Sequence, residues 1–279
     1  MFQKLSNSWE LVKASWAVLR ADKELVVFPI VSFFASIVVI ITFAVPSFMA
    51  GLFDSTVGQQ FPVLGYIIGF AFYVVMYTVT IFSNAAVVGA ANIRLGGGDP
   101  TVGDGFRIAF SHFSEILGYA AISATVGMVL RAISERSGAL GRFVVSLIGT
   151  AWGVATFLVV PVLVVEGVGP INGIKRSVEL LKKTWGEQIV GNFGIGMVFG
   201  WMMFAVVLVC VPGIVLTAMN GLYWLMAVVI GLMIVALSLL GLISTTLTGI
   251  YTAALYRYAT TGEAQMFDPA LMEKSFKQK

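Results

Sequence analysis

The sequence contains few of the side chains from which catalytic and metal centres are usually built. Its 279 residues include a single cysteine, Cys210, and a single histidine, His112. One cysteine excludes an intramolecular disulfide framework, and one residue of each type excludes a zinc site made of Cys and His ligands. We interpret Cys210 as a small apolar side chain and His112 as an ordinary residue of an interfacial helix. No cofactor is expected.

Charged residues are also scarce, which excludes a water-soluble protein. They form 11% of the chain, against about 25% in an average soluble domain, while 58% of the residues are hydrophobic. A soluble fold of this size could not cover so much apolar surface. The formal net charge of +3 is too small to indicate nucleic-acid binding. The composition therefore predicts an integral membrane protein that is surrounded by membrane lipids.

Six apolar runs approach or exceed the roughly 20 residues that cross a bilayer as a helix. We predict an all-α fold in which six transmembrane helices form a single domain over residues 1–279, with a cytoplasmic tail at 261–279. The third run is the shortest, because Glu115 and Arg131 bound it. The predicted spans cover residues 25–50, 61–90, 116–130, 143–165, 189–211 and 222–254.

The positions of lysine and arginine predict the orientation. Of the 17 basic residues, only Arg131, Arg136 and Arg142 lie outside the segments that precede the odd-numbered spans or follow the last one. Because basic residues are retained on the cytoplasmic side, we expect both termini in the cytoplasm and the protein in the inner membrane of a prokaryotic cell. The expected external loops are 51–60, 131–142 and 212–221. The three exceptional arginines either mark an error in this topology or form an external mouth that attracts anions.

A threefold internal repeat is predicted from the stretches that precede the odd-numbered spans. Five residues near the N-terminus recur 169 positions later, and a more diverged copy lies 97 positions after the first. The matching sets are Ser8, Glu10, Leu11, Lys13 and Trp16; then Ser177, Glu179, Leu180, Lys182 and Trp185; and, in the diverged copy, Gly105, Phe106, Ile108 and Phe113. We expect three units, about 1–95, 100–167 and 170–260, each a cytoplasmic interfacial amphipathic helix followed by a hairpin of two spans.

Two of these interfacial helices show how they would meet the membrane. The first has an apolar stripe at spacings of three and four, which places its members on one helical face. This stripe consists of Phe2, Leu5, Trp9, Val12, Trp16 and Leu19. The helix before the fifth span carries four basic residues that would attract anionic lipid headgroups, namely Lys175, Arg176, Lys182 and Lys183. Such helices are either structural collars that anchor the topology or surfaces that bind lipids or protein partners.

A motif at the end of the fourth span resembles that of a loose superfamily of prokaryotic polytopic membrane proteins. Its residues are Pro161, Glu166, Gly167, Ile174, Ser177, Leu180 and Trp185. This superfamily includes the membrane domain attached to some glycerophosphodiester phosphodiesterases and several uncharacterised six-span families. The N-terminal stretch also resembles the opening of one uncharacterised family, at Ser8, Trp9, Leu19, Lys23, Leu25, Phe28 and Pro29. The resemblance implies a six-span fold over most of the chain and no catalytic residues, because the phosphodiesterase chemistry belongs to a soluble domain that these residues do not contain.

Two carboxylates next to predicted spans are candidates for proton or ion coupling. Charge in hydrocarbon is costly and is often functional, which singles out Glu115 and Glu166. Both lie at predicted cytoplasmic ends, where water and headgroups reach them. The alternative role is helix capping and pairing with Arg107, Lys175 or Arg176.

Two polar stripes run through otherwise apolar spans. The second span carries Tyr73, Tyr77, Thr80 and Asn84 at helical spacing, and the sixth carries Gly241, Ser244, Thr245, Thr248 and Thr252. Such stripes either line a path for water or make the hydrogen bonds that hold helices together. Small-residue pairs favour close helix contacts within the chain or between subunits, namely Gly65/Gly69, Gly149/Gly153 and Gly196/Gly200. Pro46 and Pro161 are expected to kink their spans.

The function expected from these features is not enzymatic. A nucleophile, a general base and a metal set cannot be assembled from the available residues. The polar stripes favour a channel or carrier for ions or small solutes, which could act as a homo-oligomer. The alternative is a membrane scaffold or lipid-interacting protein that acts through its basic interfacial helices. The sequence does not separate these two functions.

Overall fold

The computed structural model describes residues 2–50, 62–185 and 194–262, and over these residues the chain is helical, with short connections and no strand. The expected loop at 51–60, the start of the predicted fifth span and most of the predicted tail at 261–279 lie outside the described residues. The helices are α1 Phe2–Ala21, α2 Val27–Met49, α3 Pro62–Leu95, α4 Val102–Ser111, α5 Phe113–Arg136, α6 Ala139–Ala155, α7 Val159–Glu166, α8 Pro170–Trp185, α9 Gly194–Met219 and α10 Tyr223–Thr261. A short 3₁₀ helix, Lys23–Val26, precedes α2.

Six helical segments in the described part of the chain are long and apolar enough to cross a membrane. They are Lys23–Met49, Val63–Leu95, Phe113–Arg136, Ala139–Glu166, Ile195–Met219 and Tyr223–Thr261. Each predicted span overlaps one of them. The protein thus has the architecture of an all-α, multi-pass membrane protein.

The prediction of a loop at 131–142 is wrong. Helix α5 continues through Arg131 to Arg136, and α6 begins at Ala139, so the connection is reduced to residues 137–138. Arg131 sits in the last turns of α5 and forms an ion pair of 2.8 Å with Glu135, one turn later. Pairs at this spacing add a small stabilisation to an exposed helix, so these charged residues are compatible with the continuation of α5.

The prediction of a loop at 212–221 is also wrong for most of its length. Helix α9 contains Pro212 and continues to Met219. A proline removes one backbone donor, but ending the helix in an apolar environment would expose many more unpaired backbone groups. The turn into α10 comes instead at Gly221, whose φ of 68° is a conformation that glycine adopts readily.

The fourth span is interrupted one helical turn before Pro161. Helix α6 ends at Ala155 and α7 begins at Val159. The ring of Pro161 would collide with the carbonyl of Phe157 in a continuous helix, as expected for a proline inside a helix. Ser177 of α8 satisfies the freed backbone groups: its hydroxyl donates to the Ala155 carbonyl at 2.8 Å and accepts from the Leu158 N–H at 3.1 Å.

The buried core is concentrated at one end of the bundle, which we call the polar end. Here α3 ends, α4 and α8 begin and α10 ends. Residues 85–91 of α3 are buried against the last turns of α10, where a Cβ on Gly249 would lie only 2.7 Å from Val87. A second close approach brings α4 onto α2, because a Cβ on Gly105 would lie 2.3 Å from the Phe28 ring. The central helices α3 and α10 therefore pack most tightly at the polar end.

Away from the polar end the spans expose apolar side chains. None of the residues in the most apolar windows of the last two spans is buried within the chain. A Cβ on either member of the Gly65/Gly69 and Gly196/Gly200 pairs would meet nothing within 4 Å. These two pairs make no close helix contact within the described chain, so a contact between subunits stays a prediction for them.

The buried face of helix α1 coincides with only part of the predicted apolar stripe. Its buried side chains are Leu11, Val12, Ser15, Val18 and Leu19, which pack towards α9 and α10. Trp9 and Trp16 are exposed, although the stripe predicts them beside Val12 and Leu19. The side chains of Phe2 and Leu5 lie outside the described ones. The aliphatic side chains of α1 thus pack against the other helices, whereas both tryptophans lie on the surface.

Candidate ligand-binding cavity

A cavity of about 280 Å³ lies among α2, α3 and α10. Each helix contributes two hydroxyl side chains to its wall. They are Ser32 and Ser36 from α2, Thr80 and Ser83 from α3, and Ser238 and Thr245 from α10. Pro29, Phe33, Gly241 and Leu242 complete the wall, most of whose surface is apolar. No ionisable side chain is among these lining residues.

Helical periodicity explains why each helix brings two hydroxyls to the same place. Ser32 and Ser36 are four residues apart, Thr80 and Ser83 three apart, and Ser238 and Thr245 seven apart. All three spacings return to one side of an α-helix. A serine or threonine is tolerated inside an apolar span because its hydroxyl can bond to the carbonyl of the preceding turn.

The hydroxyls of the wall differ in what they can offer a ligand. Thr80 Oγ1 donates to the Met76 carbonyl at 2.9 Å, so its hydrogen is engaged and its lone pairs remain. Ser32 Oγ donates across to the Val79 carbonyl at 3.5 Å. Ser83 is only 5% exposed, and its buried Oγ has no hydrogen-bond partner among the described residues. Because buried polar atoms are nearly always paired, this unpaired hydroxyl distinguishes Ser83 from Thr80 and Ser32.

The residues of the predicted polar stripe in the second span face different neighbouring helices. Tyr73 accepts a hydrogen bond of 2.7 Å from Arg131 Nη1, and the Tyr77 hydroxyl would lie 3.2 Å from a Cβ on Gly127, so both tyrosines face α5. Thr80 lines the cavity. Asn84 sits beside Gly249 of α10. The four residues therefore do not line one continuous path within the chain.

The stripe of the sixth span also has mixed surroundings. Gly241 and Thr245 line the cavity, and Ser244 and Thr248 are half-buried. Thr252 is buried, and its hydroxyl donates to the Thr248 carbonyl at 2.7 Å. Of the two stripes, the structure thus brings Thr80 together with Thr245. Sequence reasoning missed Ser32, Ser36, Ser83 and Ser238, although helical spacing relates Ser32 to Ser36, Ser83 to Thr80 and Ser238 to Thr245.

Glu166 lies at the polar end, where it joins three helices. Its Oε1 accepts hydrogen bonds from Arg176 Nε and from the Tyr256 hydroxyl, both at 3.1 Å. Arg176 also lies 3.5 Å from Glu179. The two carboxylates, Glu166 first, raise the pKa of Arg176. This geometry agrees with the alternative role of Glu166, in which it pairs with a nearby basic residue.

The other carboxylate candidate, Glu115, has a simpler environment. It accepts a hydrogen bond of 2.9 Å from the Ser114 hydroxyl, and no ion pair joins it to another residue that the structure describes. Among the basic candidates, Lys175 and Lys182 are exposed on α8, and the side chain of Lys183 lies outside the described ones. Arg136 and Arg142 are exposed near the connection between α5 and α6. The structure places none of these residues at the cavity.

An ion-pair cluster that sequence reasoning missed ties the end of α3 to the segment between α1 and α2 at the polar end. Arg94, in the last turn of α3, lies 3.5 Å from Asp22 and also pairs with Asp99. Asp22 is only 5% exposed, and its burial raises the pKa of the carboxyl despite the neighbouring guanidinium. Glu24 accepts a hydrogen bond of 2.8 Å from the Val102 N–H, which fixes the start of α4 on the same end. Within the described residues, no group of three or more Cys, His, Asp and Glu side chains could hold a metal ion.

Comparison with known protein families identifies the family of this chain. The model of a family of unknown function, DUF6159, matches residues 63–266. The chain belongs to this family. No curated protein and no solved structure matches it. The membership supports the part of the predicted resemblance that concerns an uncharacterised membrane family, and it shows no link to glycerophosphodiester phosphodiesterases.

The part of this DUF6159 chain that matches the family covers two walls of the cavity. Helices α3 and α10 lie within residues 63–266 for nearly all of their length, whereas Ser32 and Ser36 on α2 precede the match. Chemically, the wall combines hydroxyl groups, among them the unpaired Ser83 Oγ, with a mostly apolar surface.

Proposed function

We propose that this protein is a non-enzymatic integral membrane carrier, which binds a small uncharged molecule in the cavity among α2, α3 and α10. The observation that supports this proposal most directly is the bare, buried hydroxyl of Ser83 in a wall to which three spans contribute. A polar group without a partner in an apolar region is costly, and a ligand removes that cost when it bonds to the group. No base lines the wall beside these hydroxyls, so the site is suited to binding rather than to nucleophilic chemistry.

A carrier is favoured over a channel formed by one chain. A channel needs polar atoms along the whole crossing, whereas Tyr73 and Tyr77 turn towards α5 and leave the line of Thr80. Several copies could still surround a common path. The open Gly196/Gly200 pair, where an added Cβ would meet no other described atom within 4 Å, supports a homo-oligomer in this proposal.

The proposed arrangement in the membrane follows the distribution of charge. We place both termini in the cytoplasm of a prokaryotic cell and the protein in its inner membrane. The three proposed repeats would each begin with α1, α4 or α8. In support, the repeat partners Leu11 and Leu180 are both buried, and Lys13 and Lys182 are both exposed.

Reconstitution into proteoliposomes tests the carrier. Entry of three probes is measured by tracer uptake or light scattering: the rubidium ion, glycerol and an NBD-labelled alkyl glucoside. We expect flux of one of the two uncharged probes above that of protein-free vesicles, and a severalfold loss of that flux in the double variant Thr80→Val, Thr245→Val. Both threonines are isosteric with valine, so the change removes the oxygens and little volume.

Thr150→Val is the matched control for this experiment. Its hydroxyl also donates to its own helix, reaching the Ser146 carbonyl at 2.9 Å, but it lies on α6, away from the cavity. This variant should retain wild-type flux. Wild-type protein that passes none of the three probes, or flux that the double variant leaves intact, would refute the carrier.

A scaffold or lipid-interacting role is the second candidate, and the exposed face of α1 favours it. Trp9, Lys13, Trp16 and Arg20 follow one another at helical spacing and are all exposed. The Arg20 guanidinium lies 5.9 Å from the centre of the Trp16 ring. Tryptophan and basic residues together are typical of a surface at the headgroup level.

Lipid enrichment separates this second function from the first. Protein extracted from mixed phosphatidylglycerol and phosphatidylcholine membranes should retain phosphatidylglycerol preferentially. The double variant Lys13→Gln, Arg20→Gln should lose that preference more than Lys175→Gln, Lys182→Gln, which carries the equivalent change on α8. An unchanged lipid ratio in both variants would count against the lipid-interacting role.

A further inference from the structure

A second cavity lies farther along the interface between α2 and α3, which we call the seam. It has a volume of about 420 Å³ and lies between the two helices of the first hairpin. Its wall includes Ile40, Phe43 and Ser47 from α2 and Gly65, Gly69 and Phe72 from α3. The Ser47 hydroxyl is engaged with the Phe43 carbonyl at 2.7 Å, so the wall presents almost only apolar surface.

The two cavities lie on one face of α2. Six of the eight α2 residues that line them are spaced by three or four positions, at 29, 32, 36, 40, 43 and 47, and Phe33 and Ala44 lie beside this row. Such spacing returns to the same side of the helix at every turn. Two contacts show that α3 runs antiparallel along this face: Ser32 Oγ reaches the Val79 carbonyl at 3.5 Å, and the Phe43 and Phe72 rings are 5.5 Å apart.

The seam therefore changes in character along its length. At the Ser83 end it offers hydroxyls, and at the Gly69 end it is apolar. Along α3, Ser83 and Gly69 are 14 residues apart, which is about 21 Å along a helix. This length is about two thirds of the thickness of a bilayer's hydrocarbon core, so one long acyl chain that lies extended in the seam joins its two ends.

We infer that the molecule bound here is an uncharged amphiphile from the membrane, with its hydroxyl or carbonyl group at Ser83 and its acyl chain in the groove beside Gly65 and Gly69. This inference rests on the proposed function and names the class of molecule. A charged headgroup does not fit, because no ionisable residue is among the described residues that line either cavity. Thr80, Thr245 and Phe33 are exposed at the first cavity, which gives a route from the lipid phase.

Gly65 and Gly69 can each be replaced by a larger residue that fills the apolar part of the seam without strain. A Cβ on Gly65 or Gly69 would meet no other described atom within 4 Å, so a larger side chain has room there. Leucine at either position should occupy the groove and exclude an acyl chain. Gly153, on α6, is equally open but distant from the seam, so Gly153→Leu is the matched control.

Native mass spectrometry of the full chain with three probes tests the inference. Monoolein has both an uncharged polar group and a chain, glycerol has the polar group alone, and oleate has a charged group with the same chain. We expect saturable binding of monoolein, with weaker binding of oleate and of glycerol. Ser83→Ala should weaken monoolein binding about fivefold, the loss of one hydrogen bond, whereas Ser146→Ala on α6 should not change it.

The groove variants provide the decisive comparison. Gly69→Leu, with Gly65→Leu as its independent replicate, should reduce monoolein binding at least tenfold, and Gly153→Leu should leave it unchanged. Glycerol bound as tightly as monoolein, or monoolein bound by both groove variants as tightly as by the wild type, would overturn the inference. If either result is found while a water-soluble probe still crosses the proteoliposome membrane, the proposed carrier is retained and only the amphiphile is rejected as its ligand. Monoolein binding that depends on Ser83 and Gly69, without flux of any probe, would support the inferred site and contradict the carrier.

Discussion

The hydroxyl of Tyr256 donates a hydrogen bond of 3.1 Å to the carboxylate of Glu166, although the two residues are 90 positions apart. This contact ties the end of the fourth span to the end of the sixth. Arg176 bonds to the same carboxylate oxygen and adds α8 to the junction. Gly167, with a φ of 63°, ends α7 directly after Glu166 and lets the chain turn into α8. The polar end is thus closed by side chains from three helices.

Removing the hydroxyl from this junction should loosen the polar end. Tyr256→Phe is expected to lower the free energy of unfolding by about 1 to 2 kcal/mol, because Tyr256 is buried and the lost bond is to a carboxylate. Thermal unfolding in detergent measures the change. Tyr66→Phe, at a tyrosine that is 68% exposed, is the control and should unfold like the wild type. Equal midpoints for both variants would contradict a structural role for this bond.

The break in the fourth span should depend on Ser177. This side chain is fully buried and serves two backbone groups, the Ala155 carbonyl and the Leu158 N–H. Ser177→Ala leaves a buried donor unpaired, so it should destabilise the protein by about 1 to 3 kcal/mol. Ser111→Ala removes an exposed hydroxyl that bonds only within its own helix, and it should cost much less. A loss of the same size in both variants would contradict the role assigned to Ser177.

Two glycines of α4 should respond very differently to the same substitution. A Cβ on Gly105 would lie 2.3 Å from the Phe28 ring and 2.9 Å from the Ala86 carbonyl, whereas on Gly103 its nearest neighbour would be 3.6 Å away. Gly105→Ala should therefore cost about 1 to 3 kcal/mol through overpacking. Gly103→Ala should be neutral or slightly stabilising, because alanine favours a helix. The order of the two unfolding midpoints decides the matter, and the reverse order would contradict the packing of α4 on α2.

The N-terminal cap of α4 should weaken in acid. The hydroxyl and the backbone N–H of Thr101 both donate to Asp104, and these bonds lower the pKa of the Asp104 carboxyl. A carboxyl with a lowered pKa stabilises the fold fully above its ordinary value of about 4, and that stability is lost as the pH falls through the folded-state pKa.

The variant Asp104→Asn tests this dependence. It should unfold at a lower temperature than the wild type at neutral pH, and the difference should shrink as the pH falls below about 4. Asp99→Asn has an exposed carboxylate on the same end and serves as a comparison for general loss of charge. A difference between wild type and Asp104→Asn that is independent of pH would contradict the cap as its cause.

The six spans could be predicted because an apolar run of about 20 residues is a local property of the chain. The shorter run at 116–130 also becomes a full span, Phe113–Arg136, although its flanking charges seemed to end it. Local patterns were less informative at the loops. Pro161 interrupts its span and Pro212 does not, and the difference lies in whether another helix satisfies the freed backbone groups, as Ser177 does before Pro161.

The candidate site could be predicted only in part. Thr80 and Thr245 stand out in the sequence because they belong to polar stripes, and both line the cavity. Ser83 does not stand out, since one serine in an apolar span is common and its lack of a partner is visible only in three dimensions. Arg94 and Asp22 are likewise unrelated in sequence, 72 positions apart, until α3 returns to the start of α2.

The sequence by itself determined that this chain is an all-helical, multi-pass membrane protein, because composition and run length set the solvent in which a helix is stable. Only the tertiary structure decided which faces of those helices meet. It turned Trp9 and Trp16 of α1 outward, divided the stripe of α3 between two neighbours and brought Ser32, Ser83 and Thr245 to one cavity. Those outcomes depend on close packing between segments far apart in the chain, and helical periodicity within one segment does not specify its partner.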